Sequence, residues 1–159
     1  MPGSRKICQG VVAVGALATV VAIAFKASEI VYTDELRALR RRGAALVLDA
    51  RGAPRFRGEV EEPRKGLRSG HIPGSRNVPY TTLLNEDGTM KDPAELRSIF
   101  EAAGVDLKKP VITTCGSGIT AAVLSLALER IGKRDHSLYD GSWTEWGAFP
   151  TLPVATGEA

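Results

Sequence analysis

Three short apolar runs, Ala45-Leu46-Val47-Leu48-Asp49, Pro110 to Thr114 and Ser137-Leu138-Tyr139, alternate with segments that carry helix signals, and this rhythm restricts the fold more than any other feature. Apolar runs of four or five residues without polar alternation suit strands buried on both faces, as in parallel sheets. The intervening segments supply the covering helices. Thr33 and Asp34 are N-cap candidates for a first helix, with Leu36 and Leu39 on one face, Arg37, Arg40 and Arg41 toward solvent, and Gly43 where a C-terminal cap belongs. Asp92-Pro93 opens a second helix that runs to Gly104. A third spans Ile119 to Ile131 and is closed by Gly132, and a short last one begins at Ser142 and reaches Trp146. Asn77-Val78-Pro79 suggests a brief strand and Glu86-Asp87-Gly88 a turn. Together these predict an α/β domain, a central parallel β-sheet flanked by helices on both faces. Residues 50–76, rich in Arg, Gly and Pro, read as one long loop, and a loop of that length inside a compact domain usually carries function.

At 159 residues the chain has room for one domain and a short extension. The domain is set at residues 28–150, with an apolar segment over 1–27 and a C-terminal tail over 151–159. Ile7 to Phe25 is almost wholly apolar and just long enough to span a bilayer, with Arg5 and Lys6 before it. A membrane anchor, a signal peptide, a Val/Ala-rich β segment and a remnant of an upstream domain all fit this stretch. A cytoplasmic protein is the first expectation; membrane anchoring or export through residues 7–25 is the alternative. The net charge of +3 is spread among acidic residues, and no basic patch with interleaved aromatics indicates nucleic acid. Two cysteines, Cys8 and Cys115, and two histidines, His71 and His136, make neither a disulfide framework nor a zinc-ligand spacing.

The chemistry concentrates in Val111-Ile112-Thr113-Thr114-Cys115-Gly116-Ser117-Gly118-Ile119-Thr120, a strand, a cysteine, a Gly-rich turn and a helix start. This order sets Cys115 at the carboxyl end of a parallel strand, where open α/β sheets bind ligands. Backbone N–H groups of the turn and the positive end of the following helix both favour a thiolate over a thiol. Phosphatases share this arrangement, so the pattern alone does not choose a reaction.

The Cys115-to-Thr120 loop resembles the active-site loop of the 3-mercaptopyruvate sulfurtransferases in the rhodanese superfamily. Arg55-Phe56-Arg57-Gly58, Glu62-Pro63-Arg64, Gly70-His71-Ile72-Pro73-Gly74 and Asp140-Gly141-Ser142-Trp143-Thr144-Glu145-Trp146 resemble that family's motifs in the same order. The resemblance covers roughly Ser28 to Gly147, and it implies a rhodanese-like fold and a sulfurtransferase. It makes Cys115 the nucleophile that becomes a persulfide, and Arg55 and Arg64 the pair that holds the donor's carboxylate and keto oxygen. It gives Ser117 a part in proton handling or loop hydrogen bonding. It makes Gly116, Gly118, Ile119 and Thr120 sources of the N–H groups around the sulfur. His71 is then mainly structural, and Asp49 and Asp140, at strand ends, fix loops by accepting backbone hydrogen bonds.

The implied donor is 3-mercaptopyruvate, because thiosulfate enzymes of this fold typically place charged residues where Gly116 and Ser117 stand. Thiosulfate is the alternative donor. The acceptor is a thiol, such as a thioredoxin-like protein, or cyanide, and no metal or organic cofactor is required. The loop runs into Ile119-Thr120-Ala121 without the arginine that a related phosphatase needs. Enzymes of this family carry a further, N-terminal rhodanese domain over the active site, whereas only the apolar segment precedes Ser28 here. The expectation is therefore a single-domain sulfurtransferase with lowered activity or broader donor range, or a truncated product. A membrane-tethered persulfide carrier is the alternative of a different class.

Overall fold

The computed structural model describes residues 30–159; the apolar segment, the boundary at residue 28 and Cys8 lie outside the described residues. Five parallel strands, β1 (Ile30–Val31), β2 (Leu46–Asp49), β3 (Arg76–Asn77), β4 (Val111–Thr114) and β5 (His136–Tyr139), form one sheet in the order β1-β5-β4-β2-β3. The helices are α1 (Thr33–Arg41), α2 (Ala53–Arg57), α3 (Pro93–Ala102), α4 (Ala121–Arg130) and α5 (Ser142–Trp146), with a 3₁₀ turn at Tyr80–Leu83. Strand alternation divides the core in two. Leu48 and Val111 face one side, packed with Leu96, Phe100, Leu124 and Leu128 of α3 and α4. Their neighbours Val47 and Ile112 face the other, with Leu36 of α1 and Trp143 and Trp146 of α5. Both sheet faces are therefore covered, which is why these strands lack polar alternation.

The helix boundaries follow local chemistry. Asp92 accepts hydrogen bonds from the N–H groups of Ala94 and Glu95, both at 2.9 Å, and Pro93 takes the first helical position of α3 as expected. Capping of α1 differs from the expectation at Thr33 or Asp34. Tyr32 occupies the cap position without a side-chain hydrogen bond, because the Thr33 hydroxyl instead pairs with the Tyr139 phenol at 2.9 Å. Burial pushes the pKa of that phenol well above its usual value, so Tyr139 stays protonated and donates to Glu145 at 3.2 Å. The fourth helix begins at Ala121 rather than Ile119, because Ile119 and Thr120 still belong to the turn leaving the cysteine loop. The third strand stands at Arg76–Asn77 rather than 77–79, since Pro79 has no N–H to extend the pairing.

The segment 50–76 is not one continuous loop. It contains α2, which starts after Gly52 and ends at Gly58 in the left-handed conformation (φ 75°). Five residues with only Phe56 buried leave no periodic apolar signal to read. Residues 151–159, set apart above as a tail, lie along the domain: Ala155 exchanges backbone hydrogen bonds with His71, and Leu152 is buried.

A charged cluster interrupts the apolar core at the carboxyl end of β2. Arg51 and Asp49 each have side chains 1% exposed and meet at 2.7 Å. The same guanidinium donates to the Gly70 carbonyl at 2.7 Å and to Glu62 at 2.8 Å, and it lies 4.4 Å from the Trp143 ring centroid. A buried ion pair adds little net stability over apolar packing, but removing one partner strands the other. We therefore expect Asp49→Ala to cost about 3–5 kcal/mol. Leu124→Ala, at a fully buried position between sheet and helices, is expected to cost about 2–5 kcal/mol. Both are read as a lower urea midpoint with unchanged transition slope.

Candidate active site

The strand order places a switch point between β2 and β4. From β2 the chain leaves toward β3 at one edge, and from β4 toward β5 on the other side, opening a crevice beyond the carboxyl ends of the two strands. Cys115 follows β4 directly and is 1% exposed. Its Sγ accepts the Gly118 N–H at 3.1 Å. Gly118 has φ +90°, and a Cβ there would meet Asp140 Oδ1 at 2.8 Å, so the loop needs glycine at this position.

The loop carbonyls are held by α5. Trp143 N–H donates to Cys115 O at 2.9 Å and Thr144 N–H to Gly116 O at 3.0 Å, while the Thr144 hydroxyl reaches the same Gly116 oxygen at 2.6 Å. Across a planar trans peptide the C=O and the next N–H point in opposite directions. Fixing these two carbonyls on α5 thus turns the N–H groups of Gly116 and Ser117 away from it. Ser142 opens that helix with φ 51°, in the left-handed region that non-glycine residues seldom occupy. Its hydroxyl accepts Cys115 N–H at 3.3 Å and donates to Tyr139 O at 3.0 Å.

Above the sulfur is a hollow of about 300 Å³, lined by Cys115, Gly116, Ser117, Ile119 and Thr120 from the loop and by Arg55, Glu62, Pro63, Arg64, Leu67 and Thr144 opposite. Arg55, on α2, donates to Glu62 at 2.5 Å. That carboxylate, 2% exposed, also takes Arg51, so the core cluster and the arginine at the hollow share one acid. Arg64 is exposed and donates to Thr144 Oγ1 at 2.6 Å. No carboxylate among the described residues pairs with it, so its positive charge is available to an anionic ligand. A larger hollow, about 410 Å³, lies at the amino end of β2 near Arg40 and Lys109, but it contains no cysteine and none of the groups just described.

Of the residues singled out from sequence, Cys115, Gly116, Ser117, Ile119, Thr120, Arg55 and Arg64 line the one hollow, while Gly118 stands behind the sulfur and donates to it. Ser117 is half-buried, and its hydroxyl has no hydrogen-bond partner among the described residues; Ile119, 78% exposed, forms the rim. His71 lies outside the hollow: its ring stacks on Phe56 at 3.9 Å, and its Nδ1 donates to Phe56 O at 2.8 Å. Asp49 does accept a backbone N–H, that of Arg51 at 2.9 Å, but its main partner is the Arg51 side chain. Asp140 accepts no hydrogen bond among the described residues; it packs against Gly118 instead, correcting its assignment as a loop acceptor. Arg51, Glu62, Ser142 and Thr144 were not singled out. The Asp49-x-Arg51 pair directly after an apolar strand was the available signal for the first.

Comparison with known proteins bears on this geometry. Residues 32–149 match the rhodanese-like domain. The chain is 48% identical over 131 residues to the 3-mercaptopyruvate sulfurtransferase of Escherichia coli K12, covering 82% of this chain and 46% of that protein. It is 45% identical over 112 residues to the mitochondrial thiosulfate/3-mercaptopyruvate sulfurtransferase 1 of Arabidopsis thaliana, covering 70% of this chain and 30% of the relative. Among solved structures, the Tum1 protein of Saccharomyces cerevisiae superposes with a TM-score of 0.73 at 35% identity, over 82% of this chain and 47% of that one. The chain thus spans less than half the length of each of these relatives. With a match over most of the described residues and a sheet that places Cys115 at its switch point, the chain belongs to the rhodanese-like domain family.

Proposed function

We propose that this domain moves sulfur from 3-mercaptopyruvate through a persulfide on Cys115 to a thiol or to cyanide, releasing pyruvate. The observation that carries the reading is the placing of one buried cysteine and two arginines, Arg55 and Arg64, around a single hollow with room for a three-carbon keto acid. The uncharged Gly116 and Ser117 beside the sulfur support a monoanionic donor over the thiosulfate dianion.

Arg64 and the free edge of Arg55 take the donor's carboxylate and keto oxygen, for which a planar guanidinium offers paired N–H groups. This grip aims the donor's thiol at Cys115. The Cys115 thiolate attacks that sulfur, an S–S bond forms, and the C–S bond breaks with its electron pair passing to carbon. Pyruvate leaves as the enolate and is protonated; the arginines stabilise the negative charge on its oxygen. A hydroxyl at the hollow with no partner among the described residues supports a part for Ser117 in moving that proton. The loop N–H groups of Gly116, Gly118, Ile119 and Thr120 stabilise the persulfide anion. An acceptor thiol or cyanide then attacks the outer sulfur and regenerates the thiolate, a two-step covalent route. A thioredoxin-like protein suits the acceptor role, as does a small thiol. Among the described residues no helix is long and apolar enough to cross a membrane.

Brief incubation with 3-mercaptopyruvate is expected to add one sulfur atom to the intact mass, and Cys115→Ser to abolish the gain. A gain from thiosulfate alone would make the domain a thiosulfate sulfurtransferase; no gain from either donor would leave a carrier loaded by a partner. Arg55→Lys and Arg64→Lys are each expected to raise the donor KM about 10-fold or more, because an ammonium cannot reproduce the paired contact.

A further inference from the structure

We propose that Thr144 is a positioning residue whose single hydroxyl couples Arg64 to the Cys115 loop, so that the grip on the donor's carboxylate and the shape of the sulfur cradle are set together. The inference rests on reading Arg64 as a donor-binding group. Arg64 and Arg55 are held by different means. Arg55 is clamped by Glu62, itself buried and shared with Arg51. Arg64 forms no ion pair among the described residues and stands exposed on a long side chain that loses rotamer freedom when fixed. Its one hydrogen bond among the described residues goes to Thr144 Oγ1, at 2.6 Å.

The polarity of this link follows from chemistry alone. A guanidinium only donates and a carbonyl only accepts, so the Thr144 proton goes to Gly116 O and its lone pair receives Arg64. One hydroxyl therefore bridges a charged donor and the loop carbonyl next to the nucleophile, an arrangement in which each bond polarises the other. Gly116 O is the acceptor whose direction fixes the Ser117 N–H. A shift of Arg64 toward a bound carboxylate pulls on the same hydroxyl that holds this peptide. Removing the hydroxyl leaves the Thr144 N–H on Gly116 O at 3.0 Å, so the loop keeps one anchor while the coupling is lost.

The test compares alkylation of Cys115 by iodoacetate, which carries a carboxylate, with alkylation by neutral iodoacetamide. Peptide mass separates Cys115 from Cys8, and rates are normalised to free cysteine. The wild-type protein is expected to favour iodoacetate. Thr144→Val, of similar shape without the hydroxyl, is expected to lower that preference about 5-fold or more, and Thr144→Ser to restore it to within about 2-fold. In an Arg64→Ala background Thr144→Val is expected to have no further effect, the mark of a shared interaction. The proposal is overturned by a wild-type protein without preference, by an unchanged ratio in Thr144→Val, by failure of serine to restore it, or by additive effects with Arg64→Ala. A general loss of loop order slows both reagents alike, leaves the ratio unchanged and counts against it. The readout needs no sulfur donor. A wild-type chain that never gains sulfur but shows this ratio pattern refutes the sulfurtransferase reading and leaves the coupling standing; one that gains sulfur with an insensitive ratio does the reverse.

Discussion

The Arg51 guanidinium is the strut on which the described domain hangs. It leaves the carboxyl end of β2 and binds Asp49 of its own strand, Glu62 and the Gly70 carbonyl, and it lies against Trp143 of α5. Planar and always charged, it has five N–H groups to distribute, and four of them meet acceptors within the protein. The segment from Ala50 to Ser75 adds to these charged hydrogen bonds the buried side chains of Phe56 and Ile72 and the bonds of Arg68 to the carbonyls of Trp146, Gly147, Phe149 and Leu152. Since Glu62 also holds Arg55, and Trp143 is the neighbour of the residue that anchors the cysteine loop, both walls of the hollow are referred to one buried cation.

Charge around the hollow is divided unevenly as a result. Arg55 is partly neutralised by the acid it shares with Arg51, whereas Arg64 keeps its full charge and meets only a hydroxyl. One arginine is thus held by a buried carboxylate, the other by a hydroxyl. The cysteine loop shows the same economy of parts. The carbonyls of Cys115 and Gly116 are tied to α5, the Gly118 N–H reaches the sulfur, and the left-handed Ser142 lets a hydroxyl reach Cys115 N from the start of that helix.

Much of this was legible in the residues, and the exceptions have physical causes. β2 and β4 were readable because strands buried on both faces carry unbroken apolar runs, and α3 because Asp92 and Pro93 write its start chemically. The cysteine at a strand end was readable from the order of strand, Gly-rich turn and helix. Arg55 and Arg64 were identified only through resemblance to a family. Between Arg51 and Arg68 stand five arginines that look alike in a sequence, and which of them is buried depends on where Asp49 and Glu62 come to rest. The α2 helix escaped notice because a five-residue helix is held by its surroundings, not by its own periodicity. The part played by Thr144 was hidden for a similar reason, since 80 residues separate it from Arg64.

The near-complete burial of Cys115 has a regiochemical consequence. A persulfide presents two electrophilic sulfurs. Attack on the outer one transfers sulfur, while attack on the inner one expels hydrosulfide and leaves the protein in a mixed disulfide. With Cys115 1% exposed and its Sγ backed by the Gly118 N–H, the inner sulfur of a persulfide formed there would lack the open line of approach, opposite the leaving sulfur, that displacement demands. Under the proposed function only the added atom of a Cys115 persulfide would project into the hollow, and a bond with two electrophilic ends would react at one of them.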